Sequence, residues 1–145
     1  MKPYKKPYKI GYTQGVFDLF HVGHLNLLKK AKEQCDFLIV GVNSDELVKT
    51  YKHKTPVIPG DQRRQIVEAL KVVDQCVLVD TLDKEIIWKE YPFDAIFIGD
   101  DWKGNERWKQ TEEQLARHGA KVVYLKYTDG ISSTALRQKI SGNGN

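Results

Sequence analysis

Two histidines near the N-terminus give the clearest chemical signal in the sequence. His21 and His24 lie three positions apart at the start of a predicted helix, directly after a predicted strand, with Gly23 between them. Residues at this spacing share one face of a helical turn, and a glycine lets a ligand approach the backbone closely. The free N–H groups of a helix N-terminus favour phosphate. The pattern predicts a site for a polyphosphate whose charge grows in the transition state. The alternative is a pair of surface histidines.

A second polar cluster follows the last predicted strand. The segment YTDGISSTALRQKI covers 127–140 and places a turn before a helix predicted from about 132 to 140. That helix begins with the hydroxyl residues Ser132, Ser133 and Thr134. These side chains either cap the helix or, together with its free N–H groups, hold a phosphate.

The elements that must position these residues alternate along the chain. Strands are predicted at 8–14, 36–43, 75–80, 94–99 and 121–127, and helices at 24–34, 44–50, 61–70, 83–91, 105–118 and 132–140. Ser44 and Asp61 are predicted N-caps, and Gly119 a helix stop. Nearly continuous apolar strands that alternate with helices predict a parallel sheet covered on both faces. The expected fold class is α/β, a doubly wound, Rossmann-like fold with a five-stranded parallel sheet, whose ligands bind beyond the carboxyl ends of the strands.

The composition narrows the class of protein. With 145 residues, 41% hydrophobic and 29% charged, the chain is predicted to be a single globular domain over 1–145, with loose ends at 1–7 and 141–145. Cys35 and Cys76 are too few for a disulfide framework or a zinc site and are expected to pack in the interior. The net charge of +4 is modest and spread along the chain, which favours a small anionic ligand over a nucleic acid.

The same features bear on location and on competing functions. No apolar run is long enough to cross a bilayer, so no membrane insertion is expected. The basic start MKPYKKPYK is not followed by the apolar stretch of a secretory signal, which predicts a cytoplasmic protein. A dinucleotide oxidoreductase is disfavoured because the first turn lacks GxGxxG, and a P-loop is absent too.

The segments TQGVFDLFHVGH and GISST resemble the HxGH cytidylyltransferase-like nucleotidyltransferase family, and within it most resemble the glycerol-3-phosphate cytidylyltransferase branch. The likeness runs over residues 8–140 and includes IGDDWKG at 98–104 and EALKVVD at 68–74. It implies a doubly wound α/β enzyme, often a homodimer, that works with Mg²⁺. It also implies in-line attack by a phosphorylated acceptor on the α-phosphate of CTP, without a covalent enzyme intermediate.

The resemblance assigns roles to individual residues. His21 and His24 would stabilise the pentavalent phosphorus, while Val16 and Phe17 would contact the nucleotide through their backbone. Asp101 would lie near the base and ribose, although Asp100 and Asp101 could instead bind a metal or cap a turn. The remaining nucleotide-binding candidates are Gly23, Tyr127, Thr128, Ile131, Ser132, Ser133 and Thr134.

Four further residues are candidates on the same ground. Lys52 is implied near the reacting phosphates and the acceptor, with Lys54 as a rival, and Lys84 is implied at the acceptor. By itself, each lysine would be a solvated surface charge. Arg63 matches a family arginine at the start of a helix, or else forms a surface ion pair of little energy. Asp18 would orient a histidine through a hydrogen bond, or else form a turn.

Two positions depart from the family pattern and bear on the substrates. Tyr127 and Lys71 stand where the family has arginines, and similar departures occur in relatives that act on other acceptors, including sugar-phosphate adenylyltransferases. The expected reaction is transfer of CMP from CTP to glycerol 3-phosphate, giving CDP-glycerol and pyrophosphate. One alternative is an ATP-dependent adenylyltransferase for a sugar phosphate or a flavin-pathway acceptor. Another is a non-catalytic nucleotide sensor, against which the intact pair of His21 and His24 argues.

Overall fold

A computed structural model describes residues 6–126 of the chain. The strands of this part are β1 (Tyr8–Gly15), β2 (Cys35–Asn43), β3 (Gln75–Val79), β4 (Ala95–Gly99) and β5 (Lys121–Leu125). The helices are α1 (Val22–Glu33), α2 (Asp45–Lys52), α3 (Gly60–Glu68), α4 (Lys84–Glu90) and α5 (Glu106–Ala116), with a 3₁₀ turn at Asp100–Trp102. Each predicted element within 6–126 is therefore present, with bounds that move by a few residues. The helix predicted at 132–140 lies outside the described residues, as do residues 1–5 of the loose end expected at 1–7 and the whole of the one expected at 141–145.

The strands form one parallel sheet in the order β3-β2-β1-β4-β5, which confirms the predicted fold class. The chain winds outward from β1 in both directions, so the strand order reverses between β1 and β4. At that boundary the side chain of Thr13 donates a hydrogen bond of 2.9 Å to the carbonyl oxygen of Phe97. In doubly wound sheets the crevice beyond such a reversal is where ligands bind.

Each face of the sheet is covered by its own apolar core. One core joins α1 and α3 to the sheet through residues such as Leu28, Val67 and Phe97. The other joins α4 and α5 to the opposite face through Ile87 and Leu115. Full burial of a side chain of this kind contributes about 1.5–3 kcal/mol, so the two layers hold the carboxyl edge of the sheet in a fixed geometry. None of the described helices is long and apolar enough to span a membrane.

The observed N-cap residues confirm one predicted helix start and correct another. Ser44 is the N-cap of α2 and accepts a hydrogen bond of 3.1 Å from the backbone N–H of Leu47. Asp61 was predicted to cap α3, and this is wrong, because Pro59 occupies the N-cap position and Asp61 lies in the first turn. There Asp61 binds Arg64 and Gln65, three and four residues further on, which is the usual reach of a side chain along a helix.

Candidate active site

The two histidines form a reciprocal cap at the start of α1. His21 is the N-cap residue, and its Nδ1 accepts a hydrogen bond of 3.0 Å from the backbone N–H of Gly23. The Nδ1 of His24 accepts one of 3.2 Å from the backbone N–H of His21. The rings stack with centroids 3.9 Å apart. Because each Nδ1 is an acceptor, each neutral imidazole carries its proton on Nε2.

Burial favours the neutral form of both imidazoles. It lowers the pKa of His21 below the ordinary histidine value and, together with the charge of His21, lowers the pKa of His24 to about 4. The Nε2 atom of His21 is buried and has no hydrogen-bond partner within residues 6–126. A buried N–H without a partner is costly, so this donor is suited to an oxygen supplied by a ligand.

The loop between β1 and α1 is held in an unusual conformation. Phe17 and Leu19 have φ angles of 53° and 50°, in the left-handed region that non-glycine residues rarely adopt. Between them, Asp18 is 1% exposed and accepts hydrogen bonds of 2.7 and 2.9 Å from the backbone N–H groups of Val57 and Ile58. The Asp18 carboxylate therefore ties this loop to the segment before α3.

Arg63 lies inside the molecule beneath the same loop. Its side chain is fully buried, so the alternative of a surface ion pair is wrong. The guanidinium donates to the carbonyl oxygens of Val16, Asn43 and Ile58 at 2.7–2.8 Å and to a carboxylate oxygen of Asp45 at 2.6 Å. A planar fork of five N–H donors can reach several acceptors at once. Arg63 thus joins the ends of β1 and β2 to the starts of α2 and α3.

A cavity of about 720 Å³ opens at the carboxyl ends of β1 and β4, where the strand order reverses. Five of the predicted site residues line it, namely Val16, Phe17, His24, Lys52 and Lys84. His21 and Gly23 precede His24 in the same turn. The structure therefore brings together residues that lie more than sixty positions apart in the sequence.

Lys84, at the start of α4, is a mostly buried cation of this cavity. It is 9% exposed, donates a hydrogen bond of 2.7 Å to the carbonyl oxygen of Leu82, and lies 5.4 Å from the ring centre of Trp108. Burial, and then the nearby charge of Arg107, lower the pKa of Lys84 to about 8. No salt bridge within residues 6–126 includes Lys84, so a negative group in the cavity would stabilise its charge.

Three other predicted residues, Lys52, Lys54 and Asp101, are exposed. Lys52 is the last residue of α2, exposed, and 5.9 Å from the ring centre of Tyr51. Its rival Lys54 is exposed and is not part of the cavity lining. Asp101 is exposed in the 3₁₀ turn, and the cavity is lined instead by Trp102 of the same turn and by Gly99, which precedes it.

Sequence comparison decides the family. A profile of the cytidylyltransferase-like family matches residues 12–139. The chain belongs to the cytidylyltransferase-like family. It is therefore a nucleotidyltransferase, and the paired imidazoles and the cationic cavity belong to an enzyme that handles phosphates.

Curated members of the family with different activities are similar to this chain. The glycerol-3-phosphate cytidylyltransferase of Staphylococcus aureus is 34% identical over 131 residues, which cover 90% of this chain and 93% of that one. The FAD synthase of Thermococcus onnurineus is 37% identical over 134 residues, 87% of each chain. The crystal structure of a lipopolysaccharide core biosynthesis protein from Thermoplasma volcanium aligns with a TM-score of 0.74 at 29% identity, covering 84% of this chain and 99% of that one.

Several residues of this cytidylyltransferase-like site were not found from the sequence. They are Gln14 and Asn43 near the ends of β1 and β2, Tyr51 on α2, and Trp102, Arg107, Gln110, Thr111 and Gln114 on or before α5. Gln14 and Asn43 did carry a signal, because a polar residue at the end of a buried apolar strand has to be accommodated by hydrogen bonds. The α5 residues carried none, since helical polar residues usually face solvent.

Six of the predicted nucleotide-binding residues follow residue 126. Tyr127, Thr128, Ile131, Ser132, Ser133 and Thr134 lie outside the described residues. Residues 6–126 contain no group of three or more His, Cys, Asp or Glu side chains that could hold a metal.

Proposed function

We propose that the enzyme transfers CMP from CTP to a phosphorylated small alcohol, glycerol 3-phosphate, and releases CDP-glycerol and pyrophosphate. The observation that carries the proposal is one cavity lined by both the imidazole of His24 and the buried cation of Lys84, with His21 in the same helical turn as His24. Two phosphate-bearing substrates can occupy such a cavity together. The 34% identity to a glycerol-3-phosphate cytidylyltransferase supports this choice of acceptor.

For the proposed transfer of CMP, the protein has to position the two substrates and stabilise negative charge. An ionised oxygen of the acceptor phosphate attacks the α-phosphorus of CTP, and the bond to the bridging oxygen breaks as pyrophosphate leaves with the electron pair. The attacking oxygen carries no proton, so no general base is needed. This agrees with the described lining of the cavity, where Asp83 is the only acid and its carboxylate caps α4.

In this proposal, different residues of the cavity bind the two substrates. The Nε2–H groups of His21 and His24 donate to phosphate oxygens whose charge increases during attack, a type of contact that favours the transition state. Lys52 lies nearer the reacting phosphates, and Lys84 binds the acceptor phosphate. Magnesium, in this proposal, is carried by the triphosphate oxygens and water, as is usual for this ion with nucleotides.

We also propose that the enzyme acts as a cytoplasmic homodimer. The support is the family resemblance, together with a half-exposed Leu78 on β3, an edge strand of the described sheet. An exposed sheet edge is a ready site for association. Light scattering coupled to size-exclusion chromatography would test the dimer, and a single species with the mass of one chain would reject it.

One experiment decides among the functions. Each nucleoside triphosphate is tested for pyrophosphate release with glycerol 3-phosphate, other phosphorylated alcohols, sugar phosphates and FMN, with and without Mg²⁺, and products are identified by mass spectrometry. We expect CDP-glycerol with CTP and Mg²⁺. ATP-dependent turnover with FMN or a sugar phosphate would favour an adenylyltransferase, which the 37% identity to an FAD synthase makes the second candidate. Nucleotide binding without turnover would indicate a sensor.

A further inference from the structure

Gln14 is held by hydrogen bonds on three sides. Its Oε1 accepts a hydrogen bond of 2.7 Å from the hydroxyl of Tyr12. Its Nε2 donates one of 2.8 Å to the side-chain oxygen of Asn43 and one of 3.0 Å to the carbonyl oxygen of Thr81. Both N–H donors of the amide are therefore used within the protein, although Gln14 lines the cavity. Its amide serves the protein framework rather than a ligand.

The hydrogen-bond partners of Gln14 lie next to the segments that position both lysines of the cavity. On one side, the Nδ2 of Asn43 donates a hydrogen bond of 3.0 Å to the hydroxyl of Tyr51, the neighbour of Lys52. On the other side, Thr81 belongs to the short loop before α4, in which Leu82 accepts the hydrogen bond from Lys84. The amide of Gln14 is thus connected both to the end of α2, which carries Lys52, and to the loop that precedes Lys84.

A glycine at position 41 leaves space for the hydrogen bond between Tyr12 and Gln14. A methyl group at Gly41 would lie 2.1 Å from the hydroxyl oxygen of Tyr12, so only glycine allows that hydroxyl to reach Gln14. Tyr12 is otherwise surrounded by apolar side chains, is 0% exposed, and has its pKa raised by burial. A hydroxyl buried in this way stays protonated and has to find an acceptor, and Oε1 of Gln14 provides it.

We infer that Gln14 is a positioning residue that fixes the loop of Lys84 relative to the helix end of Lys52, and so sets the spacing of the two bound phosphates. The inference rests on the proposed function for the identity of those phosphates. The hydrogen bonds themselves do not depend on it. Loss of the amide would release the Lys84 loop at Thr81 and loosen Asn43 beside Tyr51.

The test compares two variants that remove different parts of the network. Gln14→Met keeps the length of the side chain and removes every hydrogen bond of the amide, whereas Tyr12→Phe removes only the bond to Oε1. We expect Gln14→Met to raise the KM for the acceptor about tenfold and to lower kcat, since two hydrogen bonds that place the lysines are lost. Tyr12→Phe should keep the acceptor KM within about twofold of the parent enzyme.

A binding measurement separates this inference from the proposed reaction. Lys84 lies over Trp108, so the emission of Trp108 reports an anion at this lysine once Trp88 and Trp102 are replaced by phenylalanine. Inorganic phosphate is the probe. We expect half-saturation at an about tenfold higher phosphate concentration in Gln14→Met than in the parent or in Tyr12→Phe.

The outcomes are distinct. Unchanged acceptor KM and unchanged phosphate affinity in folded Gln14→Met would overturn the inference, because a purely structural role lowers the melting temperature and leaves both values alone. No phosphate binding in any of the proteins would overturn it too. Absence of turnover with every substrate, alongside the expected shift in phosphate affinity, would reject the proposed reaction and retain the inference. If Gln14→Met does not fold, Gln14→Glu replaces it, since this variant keeps an acceptor for Tyr12 and removes both donors.

Discussion

The imidazole rings of His21 and His24 stack 3.9 Å apart while the Nδ1 of each accepts a backbone N–H at the start of α1. Each of the two rings therefore has two separate tasks. Its Nδ1 stabilises the helix start, and in the proposed function its Nε2–H donates to a phosphate oxygen. An alanine substitution would remove both tasks at once, so the choice of substitution decides what an experiment on these histidines can show.

The first prediction uses His21→Asn, which separates the tasks. Asparagine is a preferred N-cap residue, so this variant should keep the helix start and lose the Nε2–H. We expect kcat to fall on the order of a hundredfold or more, since one donor to the transition state is lost, while the melting temperature stays close to that of the parent enzyme. Steady-state kinetics and thermal unfolding measure the two effects. Near-normal kcat with a raised KM for CTP would make His21 a ground-state binder.

The second prediction concerns stability at acidic pH. The pKa of His24 is about 4 in the folded protein and near its ordinary value of 6.5 in the unfolded chain, so the unfolded state binds more protons between these values. Folding stability contributed by neutral His24 is therefore complete above pH 6.5 and is lost as the pH falls toward 4. His24→Gln keeps a capping side chain at the same position and does not titrate. In urea unfolding at several pH values, the parent should lose more stability than His24→Gln over this window. Parallel curves would show that His24 titrates normally.

The elements of the fold could be predicted because their signals are local. The run LIVGV at 38–42 forms the buried part of β2, and Ser44 has the side chain and position of an N-cap. The start of α3 was mispredicted at Asp61 because Pro59, two residues earlier, takes the N-cap position without a side-chain hydrogen bond.

The site was only partly predictable because some of its contacts are not local. Arg63 and Lys84 look like surface residues in the sequence, since nothing nearby in the chain would bury them. Arg63 is buried because carbonyl groups from the distant residues Val16 and Asn43 converge on it together with that of the nearby Ile58. Lys84 is buried because Trp108 on another helix packs beside it. The same holds for Asp18, whose partners lie about forty positions away.

The third prediction concerns how the KM for the acceptor changes with pH. Lys84 has a pKa of about 8 in the free enzyme, so its cation is present below that value and is lost as the pH rises through it. A phosphate monoester has its second pKa near 6 and keeps the same charge from about pH 7.5 to 9.5. The KM for glycerol 3-phosphate should therefore rise above pH 8, whereas that for CTP should change less.

Lys84→Arg is the control for that prediction, because the guanidinium stays charged throughout this range. We expect its acceptor KM to be higher than that of the parent at pH 7.5 but independent of pH up to 9.5. Steady-state kinetics over this range measures both enzymes. A rise of the same size in Lys84→Arg would assign the titration to another group.

The last prediction tests how far the site depends on the buried guanidinium. Arg63→Met fills a similar volume but leaves the carbonyl oxygens of Val16, Asn43 and Ile58 without their donor, and Asp45 without its cation. Each buried carbonyl oxygen left without a partner costs about 1–3 kcal/mol, so the total loss is a large share of the stability of a small domain. Arg64→Met is the matched control on the same helix, because Arg64 forms only surface ion pairs with Asp61 and Glu68 and should have little effect. Urea unfolding of the two variants measures the difference. Equal, small losses would mean that solvent replaces the contacts of Arg63, and that the loop between β1 and α1 is held by Asp18 alone.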